Sequence, residues 1–196
     1  PFGFGKKTDI DIAGEQTGLL PSRFWKSAIK GQPWFPGETL ITGIGQGYML
    51  ATPTQLALST AIIANRGKLV KPKLVKSVGA GKDIVETEPT KTIQLKYPHN
   101  WDKIIRSMRR VVHSPKGTAA KLAKNLETYD IAGKTGTAQV LGIKQDEKYD
   151  EDKIAARHRD HALFVGFAPV ENPQIAIAVI VENGGSGGST AAPIAK

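Results

Sequence analysis

Apolar and polar residues along this chain keep a helical period in its middle and a strand period near its end. In residues 52–67, TPTQLALSTAIIANRG, the residues Leu56, Thr60 and Ile63 recur at helical spacing with Ile62 beside them. Thr52 is placed as N-cap, Pro53 at the first helical position and Gln55 to complete a capping box, while Gly67 supplies a left-handed stop. A helix with the Leu56, Thr60, Ile63 face mostly buried is predicted. Residues 100–113, NWDKIIRSMRRVVH, repeat the period: Trp101, Ile104, Ile105, Met108, Val111 and Val112 form a stripe, with Lys103, Arg106, Arg109 and Arg110 around the rest. From Tyr129 onward the segments YDIAGKTGTAQV, HALFVGFAPV and QIAIAVIVEN read as strands, the last two joined by Glu171, Asn172 and Pro173. Three neighbouring strands with tight or hairpin connections imply an α+β fold, an antiparallel sheet flanked by helices on at least one face.

Between these elements the pattern is weaker. The first fifty residues, rich in Gly, Pro and aromatics, read as long ordered loops with short helical turns, and loops of that length usually serve a site. Residues 68–78 suggest a short edge strand carrying Pro72, and a polar stretch runs from there to about His99. Thr118 is placed to cap a shorter helix through Leu126, and a charged loop occupies 144–160. At the end, Ser189 or Thr190 is placed to cap a helix scarcely begun, an ending that looks cut.

At 196 residues the chain is long enough for one full core or a large piece of a bigger domain. Its formal charge of +9 favours anionic partners at long range, although any single basic residue is by default solvated. The basic residues are dispersed and lack an aromatic stacking platform, which argues against nucleic acid. There are no cysteines, which excludes disulfides, thiolate zinc sites and a cysteine nucleophile. No apolar run of about 18 residues and no signal peptide is present, so any membrane anchor lies outside this stretch.

Several motifs are decoys. Gly133, Lys134 and Thr135 invite a phosphate-loop reading, but Thr128 stands where that motif needs a glycine and no helix follows. The run 184-GGSGG-188 meets the nucleophile-elbow pattern almost automatically and reads as a flexible turn. His158 and His161 lack further ligands nearby, which leaves a structural His161 and a solvated His158 and no metal site. Ser27 and Lys30 fit S-x-x-K, yet about one such match arises by accident in a chain of this length. Their segment runs into Gly31 and Pro33 with no core-facing stripe.

The triplet Lys134, Thr135, Gly136 is rarer, expected by chance in about one chain in twenty of this length. On a strand, Lys134 supplies positive charge, Thr135 and Thr137 offer hydroxyls, and Gly136 lets a ligand's backbone approach. Because side chains alternate, Lys134 and Thr135 reach one ligand only at the strand's edge, where a peptide carboxylate can lie. Each charge-assisted bond there is worth roughly 1.5 to 3 kcal/mol.

With KTG stand FGFG and TDIDIAGEQTGLLPSRFWK, PWFPGETLITGIGQGYMLATPTQLA, HALFVGFAP and IAIAVIVENG. Together these resemble the transpeptidase domain of class B penicillin-binding proteins, in the penicillin-binding protein 2 subgroup that serves cell elongation; GIGQGYMLATPTQLA is the most telling segment for the subgroup. The resemblance implies an acyl-serine peptidoglycan D,D-transpeptidase acting on stem peptides that end in D-Ala-D-Ala, acylated by β-lactam antibiotics and needing no cofactor. It gives Lys134 the catalytic role of the family's KTG lysine, which helps bind the substrate or drug carboxylate and organises the protons of the site, while the lysine that activates the serine is expected outside this chain. It also assigns Thr135, Gly136 and Thr137 to substrate binding, with the Thr137 N–H as one oxyanion donor.

The family's nucleophile motif and S-x-N triplet precede the region matched by this chain. Residues 1–196 are therefore expected to be the C-terminal portion of the domain, unreactive alone, with the last three of five strands, a truncated final helix and exposed sheet surface. The resemblance further implies a bacterial inner-membrane protein with its catalytic domain on the periplasmic face and cell-elongation proteins as partners. The alternatives are a division-type transpeptidase, a β-lactam sensor, a serine β-lactamase relative or a non-catalytic peptide-binding module.

Overall fold

The computed structural model describes residues 2–79, 83–84, 91–124, 126, 128–140 and 154–196. The charged loop expected over 144–160 falls outside the described residues up to 153, and so does much of the polar stretch before His99.

The first fifty residues hold two eight-residue helices rather than short helical turns: α1, Arg23–Lys30, and α2, Pro36–Gly43. They are stabilised by caps and charge. The Ser22 hydroxyl accepts from the Trp25 N–H at 3.1 Å, and Glu38 accepts from the Phe35 N–H at 2.7 Å. The Lys26 ammonium, buried to 1% exposure, donates to the other Glu38 oxygen and lies 4.2 Å from the Phe35 ring centre. The Lys26 hydrogen bond, then the Phe35 N–H, hold the Glu38 carboxyl below the usual carboxylate range.

The third helix, α3, spans Pro53–Ala64 with the capping box as predicted, Thr52 and Gln55 exchanging bonds of 3.0 and 3.2 Å. Its fully buried face differs from the expected one. Gln55, Ser59, Thr60, Ile62 and Ala64 are buried, whereas Leu56 and Ile63 are half-buried. Gln55 is enclosed because the N-terminal loops wrap its carboxamide: Nε2 donates to the carbonyls of Lys6 at 2.8 Å, Thr17 at 2.7 Å and Gly3 at 3.3 Å.

The edge strand expected over 68–78 is not formed as such. Lys68 makes a single bridge to Thr92, and only β1, Ser77–Val78, pairs with β2, Asp83–Ile84. The reason is a competing acceptor, since the Asp11 carboxylate takes the backbone N–H groups of Leu74 and Val75. Those two bonds hold its own pKa down.

The stripe of α4, Asn100–His113, buries Trp101, Ile105, Met108 and Val112, while Ile104 is exposed and Val111 half-buried. The helix expected from Thr118 is replaced by successive turns in which Ala120, Leu122 and Lys124 N–H groups bond three residues back. Ala119 and Leu122 are nonetheless fully buried.

The sheet follows prediction. Strands β3, Ala132–Ala138, β4, His161–Ala168, and β5, Ile175–Val181, lie in that order, all antiparallel, with Thr135 opposite Phe164 and Phe164 opposite Val179. Residues of β4 on its opposite faces feed two cores. Phe164 joins Val112, Leu122, Ile131 and Ala191 in one, while Phe167 joins Ala64, Ile105, Met108 and Val170 in the other. Each phenylalanine contributes roughly 1.5 to 3 kcal/mol by burial; β4 is covered on both faces, whereas β5 keeps exposed surface, with Ile175 exposed and its other residues half-buried.

After β5 comes a five-residue π-helical turn, Gly187–Ala191, and then α5, Ala192–Ile194. Neither Ser189 nor Thr190 caps it; the Thr190 hydroxyl donates to the Gly184 carbonyl at 2.9 Å. The 184–188 run is packed rather than loose. A side chain at Gly187 would collide with the Leu163 and Gly136 carbonyls, and one at Gly188 with that of Thr118.

Candidate active site

β3 is one of the two outer strands of its sheet among the described residues, so one of its edges is left without a strand partner. Its N-terminal end is fastened to α4. Arg109 reaches the Asp130 carboxylate through Nε at 2.6 Å, and the Ile131 N–H donates to His113 Nε2 at 3.2 Å. Gly133 is needed for packing, because a Cβ there would meet the Phe164 ring and, at 2.8 Å, the Val165 carbonyl. At Gly136 a Cβ would come within 3.3 Å of Leu163 Cβ, a milder crowding.

Beyond Gly133 the strand opens to solvent. Lys134 is exposed, and its ammonium donates to the Thr135 carbonyl at 2.6 Å. The Thr135 hydroxyl pairs with that of Thr118 at 2.8 Å. Thr137 is exposed, and its carbonyl accepts from Gln46 Nε2 at 2.6 Å. In an antiparallel strand the N–H and C=O of one residue point the same way and alternate along the chain. The two carbonyls taken by side-chain donors belong to residues two apart, which places the main-chain groups of Thr135 and Thr137 along the outer edge. Lys134 also borders a cleft of about 370 Å³ lined by Ser107, Arg110, Ser114, Lys116 and Thr118. Three cations and several hydroxyls around one cleft suit an anionic ligand.

The predicted residues 134–137 are thus gathered at one edge, with two additions that sequence reasoning missed. In the sequence Thr118 carries only the local signature of a helix cap. Gln46 was embedded in a loop, yet it carries a signal: it sits between Gly45 and Gly47, both at left-handed φ of 77° and 72°, a turn that side chains other than glycine strain to adopt. The decoys remain apart. Ser27 and Lys30 are exposed on α1, and Lys30 stands 5.7 Å from the Tyr48 ring centre. His161 Nδ1 accepts the Asn183 N–H at 2.9 Å, a structural use; His158 is half-buried rather than solvated. Among the described residues no three His, Asp or Glu side chains come together to hold a metal ion.

Comparison with known families matches residues 1–196 to the penicillin binding protein transpeptidase domain. The chain belongs to this family. Among curated relatives, the peptidoglycan D,D-transpeptidase MrdA of Acinetobacter baumannii is 46% identical over 197 residues, covering 100% of this chain and 29% of the relative. The chain therefore spans under a third of that protein. Among solved structures, penicillin-binding protein 2 of Pseudomonas aeruginosa in complex with WCK 5153 superposes with a TM-score of 0.83 at 51% identity, over 99% of this chain and 40% of the other. The Helicobacter pylori complex between penicillin-binding protein 2 and MreC gives a TM-score of 0.81 at 30% identity, over 99% of this chain and 32% of that chain. The antiparallel sheet with its helices is thus the transpeptidase fold of these penicillin-binding proteins, and the penicillin-binding protein 2 resemblance holds across the whole chain.

Proposed function

We propose that residues 1–196 are the C-terminal portion of the catalytic domain of a peptidoglycan D,D-transpeptidase of cell elongation. The observation that carries this reading is the open outer edge of β3. Lys134, Thr135 and Thr137 present charge, donors and acceptors there beside a cationic cleft, in a chain 46% identical over its length to a protein of that activity.

In this reading a stem peptide ending in D-Ala-D-Ala lies extended along β3, adding a strand to its edge. The Lys134 ammonium holds the terminal carboxylate and the Thr135 and Thr137 hydroxyls complete its contacts, with Gly136 leaving room for the peptide. A serine outside this chain attacks the penultimate carbonyl, and the carbonyl oxygen gains negative charge facing the Thr137 N–H. Losing one such donor typically costs about 2.7 to 4 kcal/mol of transition-state stabilisation. Collapse of the adduct expels D-Ala with a proton and leaves an acyl-serine ester. The amine of a neighbouring stem peptide then attacks the ester, forming the cross-link and freeing the serine. A β-lactam enters the same edge and acylates the same serine. The Arg109, Asp130 and His113 contacts hold the start of β3 while this occurs.

In the same reading the full-length protein is held at the bacterial inner membrane by an anchor outside these residues, places this domain on the periplasmic face and meets cell-elongation proteins. Among the described residues no helix is long and apolar enough to cross a membrane.

The test is product analysis by mass spectrometry after incubating the full-length protein with a pentapeptide ending in D-Ala-D-Ala and an acceptor stem peptide. Loss of one D-Ala with formation of a cross-linked dimer is expected. Rapid β-lactam hydrolysis without cross-linking would indicate a β-lactamase, a stable acyl-enzyme without peptide turnover a sensor, and no reaction with either a binding module.

A further inference from the structure

GIGQGYMLATPTQLA marked the subgroup in the sequence, and its Gln46 has no part in the mechanism above. The structure puts its side chain on the proposed substrate strand, 91 residues away in sequence, with Nε2 at 2.6 Å from the Thr137 carbonyl. The contact is built. Gly45 N–H bonds the Thr42 carbonyl at 3.0 Å, Gln46 N–H bonds that of Ile41 at 3.0 Å, and the flanking glycines turn the backbone so that the half-buried side chain faces β3.

A peptide that joins the outer edge of an antiparallel strand satisfies that edge's carbonyls with its own amide N–H groups. Here the outward carbonyls of Thr135 and Thr137 already have donors from the same chain. Lys134 caps that of Thr135, and Gln46 caps that of Thr137 with a carboxamide N–H, the same chemical group a peptide would bring. We propose that Gln46 is a specificity-determining residue whose carboxamide stands in for a ligand amide on the Thr137 carbonyl. Ligands that bring an N–H to this carbonyl displace Gln46, and ligands without one leave it in place. Displacement costs one neutral hydrogen bond, so Gln46 weakens capture of amide-bearing ligands selectively. This inference rests on the transpeptidase reading of β3.

The experiment measures second-order acylation rate constants of the full-length protein with two β-lactams, a penicillin with an acylamino side chain and a carbapenem carrying a hydroxyethyl group in its place. In Gln46→Ala the penicillin rate should rise roughly three- to tenfold, the size of one neutral hydrogen bond no longer displaced. The carbapenem rate should stay within about twofold under the same principle. Gln46→Glu keeps the volume but presents a carboxylate that donates nothing, and should give the same shift in the penicillin-to-carbapenem ratio. Both ligands are anions, so the ratio cancels the added charge, and it is independent of the folded fraction of each variant. A ratio unchanged in both variants, or moved toward the carbapenem, overturns the role of Gln46 while leaving the transpeptidase reading intact. Failure of the unaltered protein to be acylated by either compound overturns both.

Discussion

The sheet and the N-terminal fifty residues are held together by opposite means. Around β4 the interior is apolar on both faces, with Phe164 and Phe167 each almost fully enclosed. Around α1 and α2 the enclosed groups are polar, Lys26 against Glu38 and Gln55 among three loop carbonyls, while Phe24, Leu40 and Ile44 remain 82%, 76% and 78% exposed. Apolar burial tolerates exchange of one side chain for another of similar volume. A buried carboxamide has no such substitute, because removing it strands every group it served. The N-terminal region is thus specified by a few polar residues, and the sheet by a distributed pattern.

That contrast is broken most severely from the sheet side. Gly133→Val would drive a branched side chain into the Phe164 ring and the Val165 carbonyl, and a loss of about 3 kcal/mol or more is expected, read as the unfolding midpoint of the full-length protein in urea. A loss under about 1 kcal/mol would mean that β3 and β4 separate easily. Next, Gln55→Leu keeps a similar volume but leaves the Lys6 and Thr17 carbonyls without this donor, at a cost of about 1 to 3 kcal/mol. Limited proteolysis should then cut first within residues 2–20 rather than in the sheet. Equal protection there would remove the special standing given to Gln55.

The smallest effect is with pH. Glu38, Glu15 and Asp11 are all held below the usual carboxylate range, by Lys26, by the Thr8 hydroxyl and by the Leu74 N–H respectively. A carboxyl with a lowered folded pKa stabilises the fold at any pH above its unfolded value, about 4, and that stability is lost as pH falls through the folded value. Tryptophan fluorescence of Trp25 and Trp34 should therefore report loosening of the N-terminal region below about pH 4. Loosening that begins above pH 6 would contradict this assignment.

The same contrast governs what could be read from the sequence. Periodicity located α4 and the three strands because their burial is apolar and repeats, and the Thr52 and Gln55 capping box located α3. It misjudged α1 and α2, whose only deeply buried side chain is Lys26, and the face of α3, where Gln55 and Ser59 take core positions. Residues 68–78 were misread because Asp11, far away in sequence, takes their donors. The candidate site was legible in residues 134–137 because a glycine-interrupted strand with a lysine is unusual. Thr118 and Gln46 were not, since each matters only through a contact with β3 that no local spacing encodes.

The central claim is that the outer edge of β3 holds the ligand of an acylating enzyme through Lys134. The most direct measurement is the rate of covalent benzylpenicillin attachment to the full-length protein and to its Lys134→Ala variant, by intact mass spectrometry. Because hydrogen bonds to a charged group are worth about 1.5 to 3 kcal/mol, acylation of the variant should slow by about tenfold to more than a hundredfold with its thermal midpoint unchanged. Equal acylation rates in the two proteins would contradict the claim.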